Sequence, residues 1–191
     1  MMIQAVIFDM DGLLVNTEEL YSEVGDTILG RRGKKFTPEL KNAMTGLPGP
    51  EAFEVMIAYA TLSDSAEELA AESAEIFAKI LPAKVRALPG VAPLLDYLDQ
   101  RRLPRCVATS SSRRFADEVL QRVGIHSRID FIITAEDVAR GKPAPDIYVA
   151  AAERLSVAPA NMLVLEDSHH GSRAGVAAGA CTVAVPGPHS L

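Results

Sequence analysis

Five short apolar runs constrain this chain most: QAVIF at 4–8, RCVAT at 105–109, FIIT at 131–134, MLVLE at 162–166 and CTVAV at 181–185. Each is too short for a helix and is bounded by polar or turn residues. Each is also nearly continuous rather than alternating, which is the pattern of strands covered on both faces in a parallel sheet. Between them lie stretches with helical spacing, APLLDYLDQRR at 92–102, RFADEVLQRVG at 114–124, PDIYVAAAERL at 145–155 and GSRAGVAAGA at 171–180. Strands alternating with helices predict right-handed crossovers and an α/β fold, a doubly wound parallel sheet.

One interval breaks the alternation. From 17 to 85 the long segments read helical, as in PEAFEVMIAYA at 50–60 and AEELAAESAEIFAKIL at 66–81, with Ala, Glu and Leu dominant. The chain then re-enters through ALPGVAPLL, where Pro89 and Gly90 mark a turn. This predicts a core of 1–16 and 86–191 with a small α-helical cap inserted at 17–85. The plainer alternative is that these helices simply pack on the sheet.

A chain of 191 residues, 48% of them hydrophobic, can bury a core of one domain plus a modest insertion. Its net charge of −6 argues against broad binding to nucleic acid. Cys106 and Cys181 each sit in an apolar run and read as reduced thiols buried in strands. The N-terminal MMIQAVIFD lacks the basic and long apolar regions of a leader, and no apolar run approaches the roughly 20 residues of a membrane helix. The expectation is a cytoplasmic protein, a monomer or weak dimer, without a membrane or nucleic-acid partner.

In such a fold ligands bind beyond the carboxyl ends of the strands. There the sequence delivers Asp9 and Asp11 after the first run, Ser110 and Ser111 after the second, Lys142 after the third, and Glu166 and Asp167 at the end of the fourth. Asp9, Glu166 and Asp167 would crowd negative charge, which a hard divalent cation with oxygen ligands relieves, Mg²⁺ being the usual one. An Asp9 oxygen can then attack phosphorus, while Asp11 protonates the leaving oxygen and later activates water. Ser110, Ser111 and Lys142 can hold phosphate oxygens. Each piece alone has a plainer reading: a solvated turn, a helix cap, a surface lysine. Their common position at strand ends favours one site for a small phosphorylated metabolite.

The ordered set VIFDMDGLLVNTE, VATSSS, GKPAPDIY and LVLEDSHHGSRAGVAAGA resembles the haloacid dehalogenase-like (HAD) phosphatase superfamily. It is most similar to the branch with a helical cap after the first strand, which includes β-phosphoglucomutases, phosphoglycolate phosphatases and sugar-phosphatases. The resemblance implies a Rossmann-like core, Asp9 as nucleophile and Asp11 as general acid/base. It also implies Ser110 and Lys142 as phosphate ligands, and Mg²⁺ held by Asp9, Glu166, Asp167 and the Asp11 backbone carbonyl. Thr17 and Glu18 match the family at the entrance to the cap, and Gly46 lies in a cap loop expected to approach substrate. Asn16 departs from the Asp that members often carry. Relatives usually continue for another strand and helix beyond the final strand-like run, so either a truncated chain or a shortened edge is expected, bearing on stability more than on mechanism.

Within that superfamily, Asp11 speaks against a dehalogenase, which has no leaving oxygen to protonate. Lys34, Lys35 and Lys41 read as solvated rather than as the Schiff-base lysine of a phosphonatase. The rival is a phosphomutase, whose second phosphate favours basic cap residues. Tyr21 stands where that branch carries His, and no Arg follows Gly46. The expected activity is therefore hydrolysis of a small phosphomonoester through an aspartyl-phosphate. The alternatives are a mutase and a non-catalytic binding scaffold. His169 and His170 suit a hard cation poorly and are expected to play no part in the chemistry.

Overall fold

The computed structural model describes residues 2–44, 47 and 49–187. The chain divides into two compact units, Met1–Asn16 with Arg86–Leu191 and, separately, Thr17–Val85.

The first unit is built on a sheet of β1 (Ala5–Phe8), β2 (Arg105–Ala108), β3 (Phe131–Ile133), β4 (Met162–Glu166) and β5 (Cys181–Ala184). Among the described residues the strands are all parallel, in the order β3-β2-β1-β4-β5. The chain steps outward from β1 to β3, then crosses back to β4 and steps out to β5. The direction of travel thus reverses between β1 and β4, which opens a crevice at their carboxyl ends.

Thr17–Val85 is helical by itself, with α1 (Thr17–Gly30), α2 (Pro38–Met44), α3 (Gly49–Ala60) and α4 (Ala66–Lys84). Leu20, Val24 and Ile28 recur every four residues on the buried side of α1, which packs on α4. Tyr21 of α1 stacks on Phe77 of α4 with ring centroids 4.7 Å apart. Ser65 and Glu68 form a reciprocal cap at the start of α4. Arg32 ties the unit further, donating to Asp64 and Glu72 at 2.5 and 2.8 Å.

The first unit resumes with α5 (Val91–Arg101), α6 (Arg113–Arg122), α7 (Asp146–Leu155) and α8 (His169–Ala177). Its two chain segments are joined where Leu88 N–H donates to Leu14 O and Arg86 N–H donates to Asn16 Oδ1. The neutral Asn16 amide is buried there as a backbone bracket, a role that needs no carboxylate. One core cluster runs under the sheet through Ile7, Cys106, Ala108, Ile133, Tyr148 and Val164. Each fully buried large apolar side chain contributes about 1.5–3 kcal/mol.

The expectation of strands covered on both faces fails at β5. As the edge strand it leaves Val183 43% exposed, and Cys181 is only half-buried. A run of apolar residues does not by itself tell an edge from a centre. Helix α8 also begins two residues earlier than the spacing suggested, because Ser168 caps it by accepting from Gly171 N–H. Among the described residues, no helix is long and apolar enough to cross a membrane.

Candidate active site

Parallel pairing sets the site. Phe8 of β1 pairs with Leu165 of β4, so Asp9 and Glu166 follow side by side. Asp9 N–H donates to Leu165 O at 3.0 Å, which holds the backbone of Asp9 at the strand end. Beyond it the chain turns back on itself. Leu14 and Val15 N–H groups donate to Met10 O, and Gly12 has φ 74°, a conformation glycine adopts without strain.

Lys142 is the hub. Its Nζ donates to Asp9 Oδ1 at 2.5 Å, to Glu166 Oε1 at 2.6 Å and to Ala108 O at 2.9 Å. An ammonium has three N–H donors, so these three acceptors define its position. Its side chain is 5% exposed. Burial alone would lower its pKa, but Asp9 and Glu166 hold the ammonium above the ordinary lysine range. Burial likewise pushes the Asp9 carboxyl well above the usual carboxylate range. Lys142 opposes that shift, and the charges of Glu166, Asp11 and Asp167 add to it.

Glu166 is fully buried. Its Oε1 accepts from Lys142 and from Tyr148 Oη at 2.6 Å; its Oε2 accepts from Ser168 Oγ at 2.9 Å and Ser168 N–H at 3.2 Å. Gly171, in the first turn of α8, makes room for it: a Cβ there would overlap the carboxylate. Four residues on, a Cβ at Gly175 would stand 2.5 Å from Thr182 Oγ1, so the small residues of α8 let the helix lie close to the sheet.

Asp11 faces the end of β2, accepting from Ser111 Oγ at 2.8 Å and Thr109 Oγ1 at 3.2 Å. The Ser111 hydroxyl, expected on a phosphate, is thus engaged with Asp11. Ser110 is exposed in the same loop, and Ser112 rather than Ser110 caps α6. Arg113 donates to Ile132 O of β3 and to Asp137 just beyond that strand, which ties it to the neighbouring strand end. Thr17 and Glu18 open α1 of the helical unit, Glu18 lying 3.9 Å from Lys41. Gly46 lies outside the described residues.

Oxygens of Asp9, Glu166 and Asp167 lie within 4.8 Å of one another. Three carboxylates around one ammonium leave an excess of negative charge, and an all-oxygen donor set suits a hard divalent cation. The donor set therefore fits a hard divalent cation such as Mg²⁺. Reasoning from sequence missed Tyr148 and Ser168 as partners of Glu166. A buried tyrosine hydroxyl that must find a polar partner was the available signal, masked by the apolar helix around it.

A family model described as haloacid dehalogenase-like hydrolase matches residues 6–185. A phosphorylated carbohydrates phosphatase from Thermotoga maritima is 34% identical over 176 residues, covering 92% of this chain and 82% of that protein. A (DL)-glycerol-3-phosphatase from Arabidopsis thaliana is 37% identical over 191 residues, covering 96% and 79%. The crystal structure of CbbY from Rhodobacter sphaeroides in complex with phosphate superposes with a TM-score of 0.78 at 26% identity, covering 98% and 88%.

Proposed function

Because this chain belongs to the haloacid dehalogenase-like hydrolase family, we propose that it is a Mg²⁺-dependent phosphatase cleaving a small, sugar-phosphate-like monoester through an aspartyl-phosphate on Asp9. One observation carries the reading: carboxylate oxygens of Asp9, Glu166 and Asp167 converge within 4.8 Å at the strand ends, beside the buried Lys142 ammonium. Relatives named for phosphorylated carbohydrates and glycerol-3-phosphate support a small ester as substrate. The Rhodobacter protein's structure in complex with phosphate supports a phosphorylated substrate.

Asp9, Asp167 and the Asp11 carbonyl would hold the cation, with Glu166, whose oxygens already accept four hydrogen bonds, adding negative charge beside them; the cation supplies charge neutralisation of the phosphoryl oxygens when bound. Exposed Ser110 offers its hydroxyl to a phosphoryl oxygen, while the Lys142 ammonium, held by Asp9, Glu166 and Ala108 O, offsets phosphoryl charge from the protein side. The Asp9 carboxylate attacks phosphorus, forming a new O–P bond as the ester O–P bond breaks, and Asp11 gives its proton to the departing alkoxide. Asp11, now ionised, takes a proton from water. The resulting hydroxide attacks phosphorus, frees phosphate and returns Asp9 as a carboxylate.

The test is phosphate release from p-nitrophenyl phosphate. Activity should vanish with EDTA, return with Mg²⁺ and be absent in Asp9→Asn. Turnover by Asp9→Asn at the parental rate would end the reading. With glucose 1-phosphate and a bisphosphate activator, free phosphate rather than the 6-phosphate is the expected product.

A further inference from the structure

We propose that Tyr148, which the scheme above leaves unused, is a positioning residue for phosphoryl transfer that acts through Glu166 to fix the Lys142 ammonium against Asp9. The inference rests on the phosphatase reading of this site.

Tyr148 stands in the first turn of α7 and is fully buried in the core cluster under the sheet. Its ring fills space as any core aromatic would. Its hydroxyl does something packing does not require: it donates at 2.6 Å to Glu166 Oε1, the same oxygen that accepts from Lys142. Lys142 Nζ also lies 5.3 Å from the centroid of the Tyr148 ring. Two contacts from one side chain therefore converge on the hub, one direct and one through the carboxylate.

The arrangement leaves Glu166 little freedom. Ser168 holds Oε2 with two donors, while Tyr148 and Lys142 hold Oε1. The last torsion of a glutamate is otherwise broad, so an unbraced carboxylate would swing. A fixed Oε1 gives the ammonium one of its three anchors, and the others are Ala108 O and Asp9 itself. Without the hydroxyl, the acceptor competing with Asp9 for Lys142 is no longer locked in direction. The ammonium then samples positions away from the attacking carboxylate.

The experiment is a double-mutant cycle with Tyr148→Phe, which keeps the ring, and Lys142→Met, assayed with p-nitrophenyl phosphate and Mg²⁺. Tyr148→Phe should lower kcat roughly tenfold with KM within about twofold, the scale of one hydrogen bond to a charged group. In the Lys142→Met background the same change should cost less than about twofold, because the group being positioned is gone. Equal losses in both backgrounds, or an unchanged kcat in the single variant, would overturn the proposal. Asp9→Asn in the same assay reports separately on the phosphatase reading.

A second readout needs no turnover. The ¹⁵Nζ–H resonance of Lys142 should be sharp in the parent and broadened or shifted in Tyr148→Phe; an identical signal in both overturns the proposal. If Tyr148→Phe does not fold, 3-fluorotyrosine at 148 retains the ring and hydroxyl and should still shift that resonance, and no shift would count against the proposal.

Discussion

A Cβ added to Gly171 would occupy the space of the Glu166 carboxylate. The first turn of α8 therefore has no side chain at this point for a reason of chemistry rather than helix propensity. Gly171→Ala should force Glu166 off Tyr148, Lys142 and Ser168 together. Overpacking of this kind costs about 1–3 kcal/mol, which lowers Tm by roughly 2–12 °C in a chain of this size. Since the displaced group anchors Lys142, phosphatase kcat should fall at least about tenfold, measured beside the thermal melt. An alanine variant with parental activity would show that Glu166 does not need its present position.

Lys142 offers a sharper contrast between stability and rate. Lys142→Met fills similar volume but leaves Asp9 and Glu166 as buried carboxylates without their cation. Breaking such a pair costs about 3–5 kcal/mol, readable by denaturant unfolding in the absence of metal. Lys142→Arg should not restore activity, because a planar fork cannot reproduce the three-cornered contact with Asp9, Glu166 and Ala108 O.

How much of this was legible in the sequence depends on which physical signal carried it. MLVLE at 162–166 coincides with β4 because an apolar run this short, bounded by polar and turn residues, is too brief for a helix. The strand-end location of Asp9, Lys142 and Asp167 follows from parallel topology, in which all carboxyl ends share one rim. The exposure of β5 was hidden, since edge and centre positions are decided by strand order rather than composition. The Tyr148–Glu166 bond was hidden too. In PDIYVAAAERL an aromatic at that spacing reads as packing, and its hydroxyl finds a partner 18 residues away only in three dimensions. The Ser111–Asp11 bond spans 100 residues and is likewise a product of the fold.

Asp11 can be separated from Asp9 by the timing of the reaction. An aryl phosphate such as p-nitrophenyl phosphate has a leaving group that departs without protonation, so Asp11→Asn should spare its first step. The second step still needs a base for water. Asp11→Asn should then give a burst of about one equivalent of p-nitrophenol followed by slow turnover, whereas an alkyl phosphate shows neither burst nor appreciable rate. Stopped-flow absorbance checks this directly. A variant slowed equally on both substrates without a burst would remove Asp11 from the proton transfers.

The two cysteines should differ in a way that reports on the sheet. Burial, with Asp130 adding and Arg154 opposing, pushes the Cys106 thiol from its ordinary 9.0 up to about 12. Iodoacetamide at pH 8 should therefore label native protein once, at half-buried Cys181, and twice only after unfolding. The same shift has a stability consequence with a definite sign. A thiol whose folded pKa exceeds its unfolded one favours the folded state fully below about pH 9, and that contribution is lost as pH rises toward 12. The difference amounts to about 4 kcal/mol, from three units at 1.36 kcal/mol each. Cys106→Ala lacks the titrating group, so although it begins less stable at pH 8 because of the cavity it leaves, its unfolding free energy should decline less steeply between pH 9 and 12 than that of the parent. Parallel slopes for the two proteins would mean that the Cys106 thiol does not titrate across this range as its burial demands.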